Sequence, residues 1–371
     1  MKLTCDREKF LAAFQIAAAV APLRSPKEIL NFIKLDATGE TVTLMATDLE
    51  AGVRIDVANV TVERPGRTLL PVQKVSNILR ENSDEILNLE VGDKSVDITG
   101  VNAEFHLPVA NPDEYPSVGG FDEDAYFELP ARAFRELVRR TVFATDTEST
   151  RYALGGVLLE IEDDRITAVA TDGRRLASMS AGGRSVNGFK TVGATTIVPA
   201  KTLTLLERSL GDLDEPVQIA ARNNDILVRT SRCTIYSQLV EGRFPAWRQV
   251  VPKREGGVII ESIAGIMASS LRQASIVADP DSRGVDFQFN NGTLILSAAT
   301  ADVGTSRVQM PIAYDGEPVG IMLDARYVGD FFRVLDPDKS FSIDVNSDTE
   351  PAVLRTDDDY LYVVMPMARD R

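Results

Sequence analysis

Two cysteines, Cys5 and Cys233, and one histidine, His106, are all the thiol and imidazole groups that 371 residues contain. Two cysteines cannot build a disulfide framework, and with one histidine they offer no zinc spacing of the C-x-x-C or H-E-x-x-H kind. Both are read as packed thiols, and no metal or other cofactor is expected. His106 lies between Phe105 and Leu107 in a strand-like run and is read as structural, so histidine acid–base chemistry is not expected. No G-x-x-x-x-G-K-[ST], G-x-G-x-x-G or G-x-S-x-G occurs, and the glycine pairs at Gly119, Gly155, Gly182 and Gly256 lack the spacing that wraps a phosphate. No apolar run reaches transmembrane length, and the opening MKLTCDREKFLAAF has charges where a signal peptide needs its apolar stretch. The expectation is a cytoplasmic, non-catalytic protein with no membrane partner.

What is present describes a soluble globular chain. Hydrophobic residues make up 44% and charged residues 26%, with a net charge of −15, and the length suits two or three domains. A repeat runs through it. Ala46-Thr47-Asp48-Leu49-Glu50-Ala51 returns as Ala170-Thr171-Asp172-Gly173-Arg174-Arg175-Leu176-Ala177, and more weakly as Ala299-Thr300-Ala301-Asp302-Val303-Gly304. The starts are 124 and 129 residues apart, close to a third of the chain, which predicts one domain repeated three times.

Amphipathic stretches of helical period begin near Arg7, Pro71, Ala131, Pro199, Ser262 and Asp324, two per repeat. Pro71 and Pro199 suit first helical turns, where a missing N–H costs nothing. Between them lie alternating runs such as Thr41–Met45, Ile226–Thr230 and Thr293–Ser297, read as antiparallel strands. Pro-, Gly- and charge-rich stretches over 111–120 and 244–257 mark linkers, giving domains 1–124, 125–252 and 253–371.

Charge is unevenly distributed. Six helix windows (7–18, 71–80, 131–140, 199–209, 262–273, 324–335) hold thirteen Lys and Arg against five Asp and Glu, about +8, which leaves −23 elsewhere. Arg132, Arg135, Arg139 and Arg140 form the densest cluster. From composition alone the basic helices are either solvated faces or a track for a polyanion; dispersed cations can hold a phosphate backbone without reading sequence.

The threefold repeat, the Ala-Thr-Asp-Gly-Arg-Arg-Leu-Ala block, Glu241-Gly242-Arg243-Phe244-Pro245 and the ending Tyr362-Val363-Val364-Met365-Pro366-Met367 together resemble the bacterial DNA sliding clamp, the β subunit of DNA polymerase III, over essentially the whole chain. The resemblance implies an α+β fold of three repeated DNA-clamp domains. Each has two helices packed on antiparallel sheets, and two chains close head to tail into a ring with the helices facing double-stranded DNA. It further implies a hydrophobic pocket between the second and third domains for short peptides of the polymerase catalytic subunit, the clamp loader and other clamp-binding proteins.

Matched position by position, that pocket comprises Leu154, Thr171, Gly173, Arg174, Leu176, Pro245 and Val250, with Tyr327, Val363, Val364, Met365, Pro366 and Met367 on the third-domain side. Flexible, polarizable methionines suit a rim that repacks around different anchors. Without the resemblance, Val363 to Met365 read as a terminal core strand. Arg24, Arg151, Tyr152 and Lys201 match DNA-contacting positions, and Lys74, Arg80 and Arg135 are added from helix charge. The dimer contact implied sets the helix around Lys74 against Ile276 and Val277 of the second copy, with a nearly neutral Ala299-Thr300-Ala301 where the family has an acidic loop.

Two other readings are open. A repeat-built enzyme could use Asp48, Asp172 and Asp302, although the repeat makes these better candidates for one turn hydrogen-bonded three times over. A trimeric ring of the eukaryotic kind would need a twofold repeat in a shorter chain.

Overall fold

The structure, a computed structural model, describes residues 1–22, 24–38, 41–146, 148, 152–252 and 258–368. Its helices fall where the amphipathic periods begin: α1 (Arg7–Ala18), α2 (Val72–Glu81), α3 (Ala131–Arg139), α4 (Ala200–Ser209), α5 (Ala264–Ala274) and α6 (Ala325–Arg333). Asp6 caps α1 by accepting from the amide of Lys9 at 3.0 Å, and Asp324 caps α6 through Arg326 at 2.8 Å. The two prolines stand one residue earlier than the periodicity predicts. Pro71 and Pro199 end the preceding strands, so each marks the bend into a helix and not its first turn.

The repeat is written into the sheets. Each third contributes an antiparallel ladder with the strand order Lys2–Asp6, Ile86–Val91, Ser95–Thr99, Glu104–Pro108 in the first repeat. The order returns as Tyr126–Pro130, Pro216–Ala221, Asp225–Arg229, Cys233–Gln238, and again as Val258–Ile263, Ser340–Val345, Ala352–Arg355, Tyr360–Val364. A second ladder runs Gly66–Pro71, Phe32–Ala37, Val42–Thr47, Ala51–Val57. Its counterparts are Ile197–Pro199, Gly156–Glu162, Arg165–Thr171, Arg175–Gly182 and then Val319–Asp324, Gly284–Asn290, Thr293–Thr300, Gly304–Pro311.

Neighbouring repeats are stitched strand to strand. In a nine-stranded sheet Ala51–Val57 pairs with Cys233–Gln238, Val53 opposite Ile235. In an eight-stranded sheet Arg175–Gly182 pairs with Tyr360–Val364, Ala177 opposite Tyr362. The corresponding strands left over are both edges: Glu104–Pro108 ends a five-stranded sheet and Gly304–Pro311 ends a four-stranded one.

Because each long sheet combines two repeats, the chain packs as two compact units that cut across the thirds. One is Met1–Phe134 with Gly183–Lys190 and Lys201–Leu239; the other is Arg135–Gly182 with Thr191–Ala200 and Val240–Arg371. The first is filled by Leu3, Phe10, Phe14, Leu35, Leu44 and Phe127, all fully buried. In the second, the ring of Phe331 stacks against Tyr360 and Tyr362 at 5.3 and 5.5 Å. Cys5 and Cys233 are buried free thiols, and burial pushes the Cys5 thiol up to about 12, which leaves it unreactive. His106 is no core residue: it stands on the edge strand Glu104–Pro108 with its side chain 62% exposed and Nδ1 2.7 Å from Asp97.

Candidate functional site

The Thr-Asp repeat is a turn built twice with the same hydrogen bonds. Thr171 Oγ1 donates to the carbonyl of Arg175 at 2.6 Å and accepts from the amide of Gly173 at 3.1 Å. Asp172 Oδ1 accepts from the amides of Arg174 and Arg175, each at 2.9 Å. In the first repeat Thr47 Oγ1 donates to Ala51 at 2.7 Å and accepts from Leu49 at 3.0 Å, and Asp48 Oδ1 accepts from Glu50 at 3.1 Å and Ala51 at 2.7 Å. The third residue of both turns is left-handed, Leu49 with φ 79° and Gly173 with φ 87°. The expected third copy differs. Ala301 and not an aspartate follows the threonine, and Thr300 Oγ1 donates instead to Val277 at 2.7 Å. Asp48 and Asp172 thus hold turns, as side chains that pair with local amides usually do.

The second of these turns forms one wall of a cavity of about 420 Å³, within the size range of small-ligand and peptide-anchor sites. Nine expected positions line it: Leu154, Thr171, Gly173, Arg174 and Leu176 from the second repeat, Pro245 and Val250 from the stretch after it, and Val363 and Met365 from the last strand and its tail. An atom added at the Cα of Gly173 would meet nothing within 4 Å, so the backbone there is open to an incoming chain. The apolar floor continues into a core of Leu158, Val169, Ile197, Phe244 and Val353, which holds Leu176 and Val363 in register across the sheet.

Four expected positions lie elsewhere. Val364 is fully buried in the sheet, and Pro366 is half-buried without lining the cavity. Tyr327 is buried, with the Arg175 guanidinium 4.6 Å from its ring centroid. Met367 turns away, its amide donating to Met322 at 2.8 Å, and lines a separate cavity with Gly284, Met322 and Ala368. The methionine rim is therefore Met365 alone.

Ala153, Arg175, Arg243 and Trp247 line the cavity as well, although none of them was among the expected pocket residues. Trp247, the chain's one tryptophan, is steadied by a bond from Nε1 to Glu160 Oε2 at 3.3 Å, and Arg248 lies 4.3 Å from its ring. Its signal in the sequence was a lone tryptophan two residues beyond Phe244-Pro245. Arg175 ties the wall together: Nε meets Asp172 at 3.0 Å, Nη1 meets Asp330 of α6 at 2.5 Å, and Nη2 donates to the carbonyl of Phe143 at 2.7 Å. Burial opposes its charge, but Tyr362, Asp330 and Asp172 outweigh that and hold its pKa above the ordinary arginine value.

The expected cationic residues divide. Arg24, in a bend, and Lys74 and Arg80, on α2, are exposed. Lys201 at the start of α4 is exposed too, with Nζ 3.2 Å from Asp48 Oδ2. The cluster on α3 is not a free basic face. Arg140 is 7% exposed and paired with Glu136 at 3.0 Å and Asp358 at 2.9 Å. Arg139 donates to the carbonyl of Val334 at 2.5 Å, and Arg132 meets Asp214 at 2.7 Å. Arg135 is half-buried, its Nε enclosed without a hydrogen-bond partner among the described residues. Packing uses Arg139 and Arg140 for structure, whereas the Arg132–Asp214 pair lies on the surface. Arg151 lies outside the described residues, as does the side chain of Tyr152, whose backbone forms the short turn Tyr152–Leu154. Ile276 is 77% exposed, and the carbonyl of Val277 accepts from Thr300.

Three family models match in order along the chain: the N-terminal, central and C-terminal domains of the DNA polymerase III beta subunit, over residues 1–119, 128–246 and 248–368. The chain belongs to the bacterial DNA sliding clamps. The Beta sliding clamp of Pseudomonas aeruginosa is 27% identical over 99% of this chain and all of its own length, and that of Escherichia coli K12 is 28% identical over 90% of each. Among solved structures, the Pseudomonas aeruginosa sliding clamp bound to griselimycin superposes with a TM-score of 0.92 at 26% identity, and that of Bartonella birtlesii, also bound to griselimycin, with 0.89 at 26%, each over the full length of both chains. The threefold ladder order is the clamp fold, and the function is that of the clamp family, processivity in DNA replication.

Proposed function

We propose that two copies of this clamp close head to tail into a ring around duplex DNA, with domains 1–124, 125–252 and 253–371, and that the cavity beside Gly173 holds peptide segments of the polymerase catalytic subunit, the clamp loader and other clamp-binding proteins. One observation carries the ring. Strands equivalent to Gly304–Pro311 and Glu104–Pro108 pair with each other at both joins between repeats, yet these two are open edges within one chain. Open edges are templates for pairing, and a second copy supplies each with its counterpart. Exposed Ile276 flanks the Gly304–Pro311 edge, and Lys74 belongs to the same repeat as the other.

Exposed Arg24, Lys74, Arg80 and Lys201 give the dispersed cations that hold a phosphate backbone without reading bases, and weak contacts suit a ring that must slide. The clamp does no chemistry in this reading. It raises the effective concentration of a tethered polymerase at the primer end, so modest peptide affinity suffices. The cell compartment is the cytoplasm.

The test is topological. Clamp loaded onto nicked circular plasmid by a bacterial clamp loader with ATP, then isolated, leaves the DNA when the circle is cut once, as read on a sizing column. Retention on the linear form overturns the ring in favour of ordinary duplex binding. Light scattering gives the mass of two chains; three would favour a trimeric ring.

A further inference from the structure

We infer that the open side of the strand Val258–Ile263 is a docking edge for a short extended segment of another protein, running antiparallel to it with a basic residue opposite Glu261 and an apolar one opposite Ile259. The three repeats supply the comparison. In the first, Lys2–Asp6 is covered on the side away from its ladder by the strand Val60–Arg64, and in the second Tyr126–Pro130 is covered by Arg184–Val186. These covering strands precede Gly66–Pro71 and Ile197–Pro199 in the chain. In the third repeat the matching stretch, between Gly304–Pro311 and Val319–Asp324, is described throughout and forms no strand. It is tied instead to the hairpin tip at Gly292, whose amide donates to the Tyr314 carbonyl at 2.6 Å and whose carbonyl accepts from Ile312 at 3.1 Å. Among the described residues Val258–Ile263 is therefore the last strand of its sheet.

The ladder fixes which groups this edge offers. The Ala264 amide donates to the Lys339 carbonyl at 2.9 Å, and the register runs back from there with Ser262 opposite Phe341 and Ile260 opposite Ile343. Alternate residues of an antiparallel ladder exchange both bonds with the residue opposite, so the N–H and C=O of Ile259 and Glu261 point to the open side. Counted back from the following helix, Ile259 and Glu261 match Lys2 and Thr4 of the first repeat and Tyr126 and Glu128 of the second. There the covering strands show what fits. Arg184 stands opposite Glu128, its guanidinium 3.1 Å from the carboxylate, and Val186 stands opposite Tyr126; Lys2 pairs with Glu63 at 2.7 Å. Glu261 keeps the acid of Glu128 without the arginine: it is exposed and has no ion pair among the described residues, and Ile259 is 63% exposed. In strand addition the main-chain bonds give affinity and alternate side chains give selection. The segment that fits reads basic, any residue, apolar, in the order of Arg184-Ser185-Val186. A second copy of the strand fits less well, since pairing centred on Glu261 sets two carboxylates opposite each other.

The experiment uses the full chain and two acetylated, amidated nonapeptides, with Arg-Ser-Val or Glu-Ser-Val at the centre and threonine alternating with valine on either side. Amide hydrogen exchange locates the binding. The arginine peptide slows exchange at Ile259 and Glu261, about threefold at a concentration twice its dissociation constant. It binds about fivefold tighter than the glutamate peptide, the scale of a cross-strand charge pair, and Glu261→Arg reverses that preference. Ile259→Pro removes an outward donor that the ladder does not use, so it abolishes binding while the urea midpoint stays in place. Exchange at these amides that is unchanged up to millimolar peptide overturns the docking edge, as does slowing confined to the cavity beside Gly173. Equal affinity for both peptides overturns the pairing with Glu261. Light scattering of the peptide-free chain that shows more than two chains per particle, reduced in Ile259→Pro, overturns the foreign partner in favour of a second copy.

Discussion

Replacing Arg175 with methionine removes the guanidinium and keeps most of the stem, so it tests how the cavity wall is tied to α6. Arg175 is 9% exposed. Its loss strips Asp330, equally buried, of the contact at 2.5 Å and leaves it only the exposed Arg333 at 2.8 Å; Asp172 loses its contact at 3.0 Å, and the Phe143 carbonyl loses its donor. Breaking a buried pair from one side costs about 3–5 kcal/mol, because a charge is left without compensation. Arg333 remains as a partial counterion for Asp330, which places the expected loss near the low end, about 3 kcal/mol. For a unit of roughly 200 residues that lowers Tm by about 10 °C. Urea unfolding should show the loss as a lower midpoint with an unchanged slope. Adding Asp330→Asn to Arg175→Met removes the stranded charge and recovers at least about 1 kcal/mol, whereas Arg175→Lys does not rescue, since an ammonium cannot span Asp172, Asp330 and Phe143 together. A loss below about 1 kcal/mol for Arg175→Met, or no recovery in the double variant, would refute the account of this arginine as the tie.

Met365→Ala weakens peptide binding about fivefold in calorimetry, while Met367→Ala, whose side chain lines the other cavity, leaves it unchanged; equal effects would put both in one rim. The sole histidine gives one imidazole signal by NMR. Its hydrogen bond to Asp97, opposed by slight desolvation, raises its pKa above 6.5, and Asp97→Asn brings the midpoint back down. Since the folded value is the raised one, the associated stability is fully present below pH 6.5 and is lost as pH rises through the folded midpoint. Ile276→Asp, at a position 77% exposed, shifts the unfolding stability of the monomer by no more than about 0.5 kcal/mol yet halves the particle mass in light scattering at micromolar concentration. An unchanged mass would remove Ile276 from the interface.

Local chemistry explains which parts of the site were legible. Thr171 and Asp172 write their turn in adjacent residues, and Leu176 and Val363 belong to alternating runs whose inward faces follow from the period of two. Trp247 and Arg243 were harder, because the stretch around Phe244 and Pro245 that carries them has no period, and its path is set by long-range bonds such as Phe244 to Ala194. Met365 and Met367 differ by two residues in a tail where only the bond to Met322 decides which way the second one faces.

Helix placement, the threefold repeat and the strand runs were determined by the sequence alone, since each rests on patterns within a few residues or on a spacing that recurs along the chain. The tertiary structure decided how the charges are used. Arg132, Arg139 and Arg140 read as a basic helix face until Asp214, Val334 and Asp358, distant in sequence, come within hydrogen-bond reach. It also decided that the repeats join edge to edge and that Glu104–Pro108 and Gly304–Pro311, the counterparts of the joining strands, stay at sheet edges, because pairing between strands more than a hundred residues apart is fixed by packing and leaves no local mark.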